Sequence, residues 1–174
     1  MLSHRIRSLI NIACFVMVLT VNYLANALPI NGVTQKELSA EYHIHLTPAG
    51  YVFAIWGVIY LGLIAYVIAQ ALPKWLDHRG IRQLDLPFVL SSICNVSWLI
   101  IWHYRQLGLS VVLMLGLLGS LMFAYTRLER SRSDGDPIPL WFVDKTFRIY
   151  LGWVGLATIL NVSIWLESLG WTGA

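Results

Sequence analysis

The chain is predicted to be an all-α integral membrane protein, a bundle of five transmembrane helices, on three observations. Only 12% of its 174 residues are charged and 57% are hydrophobic, against roughly 25% charged in soluble proteins. The mean hydropathy is +0.66. Successive charged residues leave five long charge-free intervals, 8–35, 42–73, 86–104, 106–126 and 149–166, each near the roughly 17–25 residues that cross a bilayer as a helix. A chain of 174 residues then forms one domain, 1–174, with spans near 6–28, 49–72, 86–104, 107–127 and 140–166. A soluble catalytic domain has no room.

Span one follows His4, Arg5 and Arg7 and ends in Ala25-Asn26-Ala27. A basic start and a small-residue end also describe a signal peptide, but the charge-free run is long for one, so a retained helix is expected. Asn22 and Asn26 share a face suited to contact with other helices. The next connection, 31–47, is the longest outside the membrane. It is polar, mildly acidic through Glu37 and Glu41, opened by the Asn31-Gly32 turn signal, and could form a lid. Connections 73–85 and 129–139 are basic, the second carrying Ser-Asp-Gly-Asp-Pro turn chemistry. Gln106-Leu107-Gly108 links spans three and four tightly. In span four Gly116 and Ser120 form a small-x-x-x-small pair suited to close helix packing. In span five Asp144 and Arg148 stand one turn apart and are expected to pair.

Lysine and arginine fix an expected orientation. If span one starts on side A, that side receives Arg5, Arg7, Lys74, Arg79, Arg82, Arg127, Arg130, Arg132, Lys145 and Arg148; side B receives only Lys36 and Arg105. Positive charge accumulates in the cytoplasm, so in a cell membrane the N-terminus is expected inside and the C-terminus outside. The formal charge of +3 then reflects topology and anionic lipid, and the basic residues form no continuous stripe for nucleic acid.

Span five carries the most informative face. Tyr150, Trp153, Ala157 and Asn161 are separated by three, four and four residues, which at ~3.6 residues per turn returns them to one azimuth. Such a face can line a pocket. An amide in a membrane span needs a partner, so Asn161 points into the protein or at a ligand; helix–helix glue is the commoner role. Cys14 and Cys94 fall within spans, in no metal-binding spacing, and read as free core thiols. His43 and His45 alternate and make a poor joint metal pair if extended. His103, at the side-B end of span three, could ligate heme iron, although an interfacial polar end-group is the commoner role. No catalytic residues and no metal site are expected: the spans hold no carboxylate pair, Ser–His or Cys–His array.

Several motifs in order resemble one family. The run Thr47-Pro48-Ala49-Gly50-Tyr51-Val52-Phe53-Ala54-Ile55-Trp56-Gly57-Val58-Ile59-Tyr60 resembles the opening of helix two in TspO/MBR proteins, the tryptophan-rich sensory or translocator proteins. Asn95-Val96-Ser97-Trp98 and the Arg105-Gln106-Leu107-Gly108 turn follow. Span five then supplies Tyr150-Leu151-x-Trp153 and Ala157-x-x-Leu160-Asn161. The resemblance covers Thr47 onward.

There are departures. Ala49 stands where a second proline is usual. Phe53 and Trp56 are one residue closer than usual, shifting the aromatic phase by about 100° on an α-helix. Ile149 replaces the proline before the span-five tyrosine, and Tyr42-His43-Ile44-His45 replaces a Trp-Tyr and Lys-Pro segment. The aromatic-plus-basic pattern proposed for cholesterol is absent after Asn161, so sterol transport is not expected.

What the resemblance implies is a five-helix bundle, often a homodimer, with a pocket beneath the first long loop. It implies a membrane receptor for tetrapyrroles, protoporphyrin or heme, or similar hydrophobic metabolites, with a regulatory or stress-related role and no required cofactor. By motif position Trp56, Asn95, Trp98, Trp153, Ala157 and Asn161, joined by Tyr150 on its shared face, are the expected ligand-binding residues. Indole and phenol rings supply flat apolar area with a polar handle, as a planar macrocycle needs. The expected partners are a hydrophobic small molecule and membrane lipid. The alternatives are a porphyrin-degrading photo-oxidase and a transporter, the latter without the two equal repeats such proteins show.

Overall fold

The computed structural model describes residues 4–34, 37–38, 41–42, 50–135, 138 and 140–171. Among these stand five long helices: α1 (His4–Ala27), α2 (Ile55–Ala71), α3 (Asp85–His103), α4 (Leu107–Ser133) and α5 (Trp141–Ser168). All five segments are long and apolar enough to cross a membrane. Their packing partners close a ring in the order α1, α3, α4, α5, α2 and back to α1.

The outside of the ring is as apolar as the inside. Leu61, Val112, Val58, Ile68 and Ile159 are all more than half exposed, which in water would be a large unprotected patch. In a bilayer it is the lipid-facing belt, and the polar side chains go inward instead. Asn11, Gln70, Ser91, Ser92, Asn95 and Asn161 are all buried. Ser91 and Ser92 return their hydroxyl protons to Phe88 O, and Thr158 to Val154 O, so each is satisfied within its own helix.

Helix ends follow local chemistry. Asp85 opens α3 where the helix dipole favours an anion, and Pro87 falls in the first turn, where its missing N–H costs nothing. At the other end of α3, Arg105 adopts φ 54°. Its N–H reaches Trp102 O at 2.9 Å and that of Gln106 reaches Ile101 O at 3.3 Å. This is a Schellman cap with arginine in the left-handed position usually held by glycine. Glycines occupy the equivalent position after α4 and α5, Gly135 at φ 77° and Gly170 at φ 85°.

Two expected boundaries shift. The segment 129–133, read as loop, is the last turn of α4, because its charges pair across to α5. Asp144 takes Arg148 Nε at 2.9 Å and Arg132 Nη2 at 3.4 Å, and Arg148 also bonds Glu129. The Arg148 guanidinium lies 4.9 Å from the Tyr125 ring centroid. The expected Asp144–Arg148 pair is therefore one edge of a four-residue network that holds α4 to α5. The second shift is at α2, which is preceded by a 3-10 turn, Gly50–Ala54. Asn26 also departs from expectation: it is exposed and bonds back to Asn22 O at 2.8 Å, so only Asn22 reaches another helix.

Candidate functional site

Helix α2 meets the N-terminal half of α5. Gly62 lies against Thr146, and Trp56, in the first turn of α2, meets Trp153 with ring centroids 6.1 Å apart at 85°. The α2 helix thus starts opposite the middle of α5, and the half of α5 bearing Ala157 and Asn161 extends beyond it.

At that point an aromatic box forms. Trp56 stacks on Tyr60 at 5.5 Å and meets Tyr150 edge-on at 5.9 Å; Phe53 meets Trp153 edge-on at 5.7 Å. The short Phe53–Trp56 spacing does not throw the rings out of phase. Phe53 sits in the 3-10 turn, where residues three apart eclipse, so the change of winding absorbs the phase shift that a continuous α-helix would impose.

Asn95 supplies the polar centre. It is 1% exposed. It accepts from Asn22 Nδ2 at 3.0 Å and donates from Nδ2 to the Tyr150 hydroxyl at 3.4 Å, so one amide ties α1, α3 and α5 together beside the box. Tyr150 and Trp153 are buried as the shared azimuth requires, Ala157 is half-buried, and Leu156 turns outward, 38% exposed.

The remaining expected residues lie apart from this box. Trp98 stacks on Trp102 at 6.2 Å and 21°, toward the side-B end. Asn161 is within 3.1 Å of Ser110 Oγ on α4. That hydroxyl also lies 2.7 Å from Leu107 O. The Ser110 hydroxyl donates in a three-centre bond to Leu107 O within α4 and to the Asn161 amide oxygen across to α5. Asn161 is thus satisfied between helices. Asn161→Leu is expected to lower thermal stability by about 1 kcal/mol, in line with intramembrane hydrogen bonds elsewhere, as read by a melt in detergent.

The connection after α1 folds onto the same end. Asn31 (φ 53°) and Gly32 (φ 81°) make the turn that their dipeptide signals. Asn31 Nδ2 donates to His103 O at 3.0 Å, the Tyr42 ring lies 5.5 Å from that of Trp102 at a tilt of 47°, Leu38 is fully buried against Trp102, and Glu41 pairs with Arg105 at 2.7 Å. Thr34 and Glu37 cap the turn reciprocally: Thr34 N–H and hydroxyl donate to the Glu37 carboxylate, and Glu37 N–H donates to Thr34 Oγ1. These bonds, the backbone one first, hold the Glu37 carboxyl below its ordinary range. The cap is therefore present at neutral pH and is lost only as pH falls through that lowered value. His103, the last residue of α3, is fully buried, its Nδ1 bonding Leu99 O at 2.7 Å. His43 and His45 lie outside the described residues. Cys14 and Cys94 are free thiols, and Cys94 Sγ is 3.1 Å from where a Cβ on Gly116 would stand, so Gly116 serves packing between α3 and α4.

Sequence reasoning did not assign Phe53, Tyr60, Tyr42 or Trp102 to a site, and named Asn22 only as a helix contact. The Trp98/Trp102 spacing of one turn and the Thr-x-x-Glu capping signature at Thr34 were the available signals.

The fold and this interior define a multi-pass membrane protein whose five helices enclose an aromatic, amide-bridged core. The family model of TSPO-like proteins matches residues 8–174. The chain belongs to that family. Among the curated proteins and among the solved structures, nothing matches it.

Proposed function

We propose that this protein is a membrane receptor for a flat hydrophobic metabolite, a tetrapyrrole such as protoporphyrin or heme, with a regulatory or stress-related role. The observation that carries this reading is the box of Phe53, Trp56, Tyr60, Tyr150 and Trp153 beside the buried Asn95. Edge-on rings expose flat faces to whatever separates them, so a planar ligand entering between α2 and α5 exchanges ring–ring for ring–ligand contact at little cost in apolar burial. Asn95 and the Tyr150 hydroxyl offer the few polar contacts that orient a ligand in an apolar site. Phe53, on the 3-10 turn and 37% exposed, is the ring best placed to swing aside.

The test is a titration of the purified protein with protoporphyrin in the dark without oxygen, followed by tryptophan fluorescence. Saturable quenching supports a receptor, and persistence of the pigment in the dark separates binding from photochemical loss. No quenching overturns the reading.

The side-B connection is the lid in this proposal. The Glu41–Arg105 pair is about 40% exposed on each side, so water and salt screen it and it is a weak latch. Glu41→Gln is expected to speed porphyrin release about threefold with unchanged melting, as checked by stopped-flow displacement. Unchanged release reduces the connection to a tether. The proposed orientation puts this lid outside the cell. With Cys14 and Cys94 replaced, a cysteine at Ser133 is expected to label from the cytoplasm and one at Gln35 or Thr172 from outside.

A further inference from the structure

At the arginine-rich end, opposite the lid, a second polar cluster joins α1, α2 and the start of α3. Asn11 Nδ2 donates to Gln70 Oε1 at 2.6 Å and to Asp85 Oδ1 at 2.8 Å, and Ser8 Oγ donates to Gln70 O at 3.2 Å. Arg7 pairs with Asp85 at 3.6 Å. Beside them a crevice of about 10 Å³ is lined by Arg7, Ser8, Gln70, Arg82 and Asp85, room for one oxygen-sized atom.

Two buried donors in this lining have no partner among the described residues: Gln70 Nε2, on a residue only 3% exposed, and Arg82 Nε. A buried donor left unsatisfied is costly, so these two donors call for an acceptor. Two guanidinium groups against one carboxylate leave the lining net positive. The carboxylate is already engaged by Arg7 and Asn11, so it presents no bare negative charge to the crevice, and two guanidinium groups exclude a metal cation. The crevice also lies at an end of the membrane-spanning helices, where basic pockets between spans hold anionic lipid.

We propose that this crevice binds one phosphate group, a phosphate oxygen entering to accept from Gln70 Nε2 and Arg82 Nε while the rest of the group stays outside. The source is either an anionic phospholipid headgroup or free phosphate. Bound there, the phosphate links the last turn of α2 to the segment before α3, across the N-terminal part of α1. It stabilises the bundle at the end opposite the aromatic box.

The experiment takes protein delipidated in a phosphate-free detergent and adds phosphatidylglycerol, phosphatidylcholine or inorganic phosphate, with native mass spectrometry and thermal melts as readouts. Wild type is expected to retain one phosphatidylglycerol in preference to phosphatidylcholine and to melt higher with it. If free phosphate is the source, millimolar inorganic phosphate alone raises the melt. Arg82→Gln is expected to weaken either effect about tenfold, the loss of one charged hydrogen bond. Gln70→Glu, which keeps the acceptor for Asn11 and removes the donor, provides a second variant. Equal retention of both lipids with no response to phosphate, or wild-type affinity in both variants, means that the crevice holds only water and overturns the proposal.

Discussion

Gly62→Ala is expected to destabilise the bundle more than any other single-methyl change. A Cβ at residue 62 would stand 1.9 Å from Thr146 Oγ1 and 2.7 Å from its Cγ2. Thr146 cannot turn away cheaply. It is β-branched and therefore stiff, it is 6% exposed, and its hydroxyl is committed to Phe142 O at 2.7 Å. The two helices must separate instead, and overpacking of this kind costs about 1–3 kcal/mol. The penalty spreads, because the same crossing sets the register that brings Trp56 to Trp153. Melts of Gly62→Ala should fall by several degrees, and Thr146→Ala should restore part of the loss in the double variant, since it removes the two closest atoms and leaves only Cβ at 2.8 Å. Additive losses would mean that the contact is not where α2 and α5 cross.

The fold was legible because charge spacing in a membrane protein is nearly a map of its spans: the charge-free intervals reappear as α1 to α5. What sequence periodicity misplaced has a physical reason in each case. Residues 129–133 are charged and so read as loop, yet Glu129 and Arg132 are held in helix by partners on α5 that are distant in sequence. The winding at Gly50–Ala54 was invisible to a pattern that assumes one helical pitch, and it changes which way Phe53 faces. The α5 face was legible as far as burial goes, since Tyr150, Trp153 and Asn161 all turn inward and Leu156 outward. Partners were not legible: nothing in the sequence says that Asn161 meets Ser110 while Asn95 meets Asn22 and Tyr150. Amide partners follow from helix order around the ring, which local patterns do not encode.

The largest expected effect on binding comes from the wall that α5 presents to the box. Trp153 is 5% exposed and its indole N–H has no partner among the described residues, so it offers a ligand both a flat face and an unused donor. Trp153→Ala removes both and should weaken protoporphyrin binding at least tenfold, the size of one lost aromatic contact with its hydrogen bond. Because the cavity left behind also costs stability, a second variant must separate the two effects. Ala157→Leu serves: it lies one turn further along the same face, beyond the start of α2, and adds bulk next to the box without removing any packed group. It should weaken binding while leaving the melt near wild type, whereas Leu156→Ala, on the lipid-facing side, should change affinity little. Titrating the three variants with protoporphyrin alongside melts decides the matter. Wild-type affinity in both Trp153→Ala and Ala157→Leu would mean that α5 serves the bundle through packing alone.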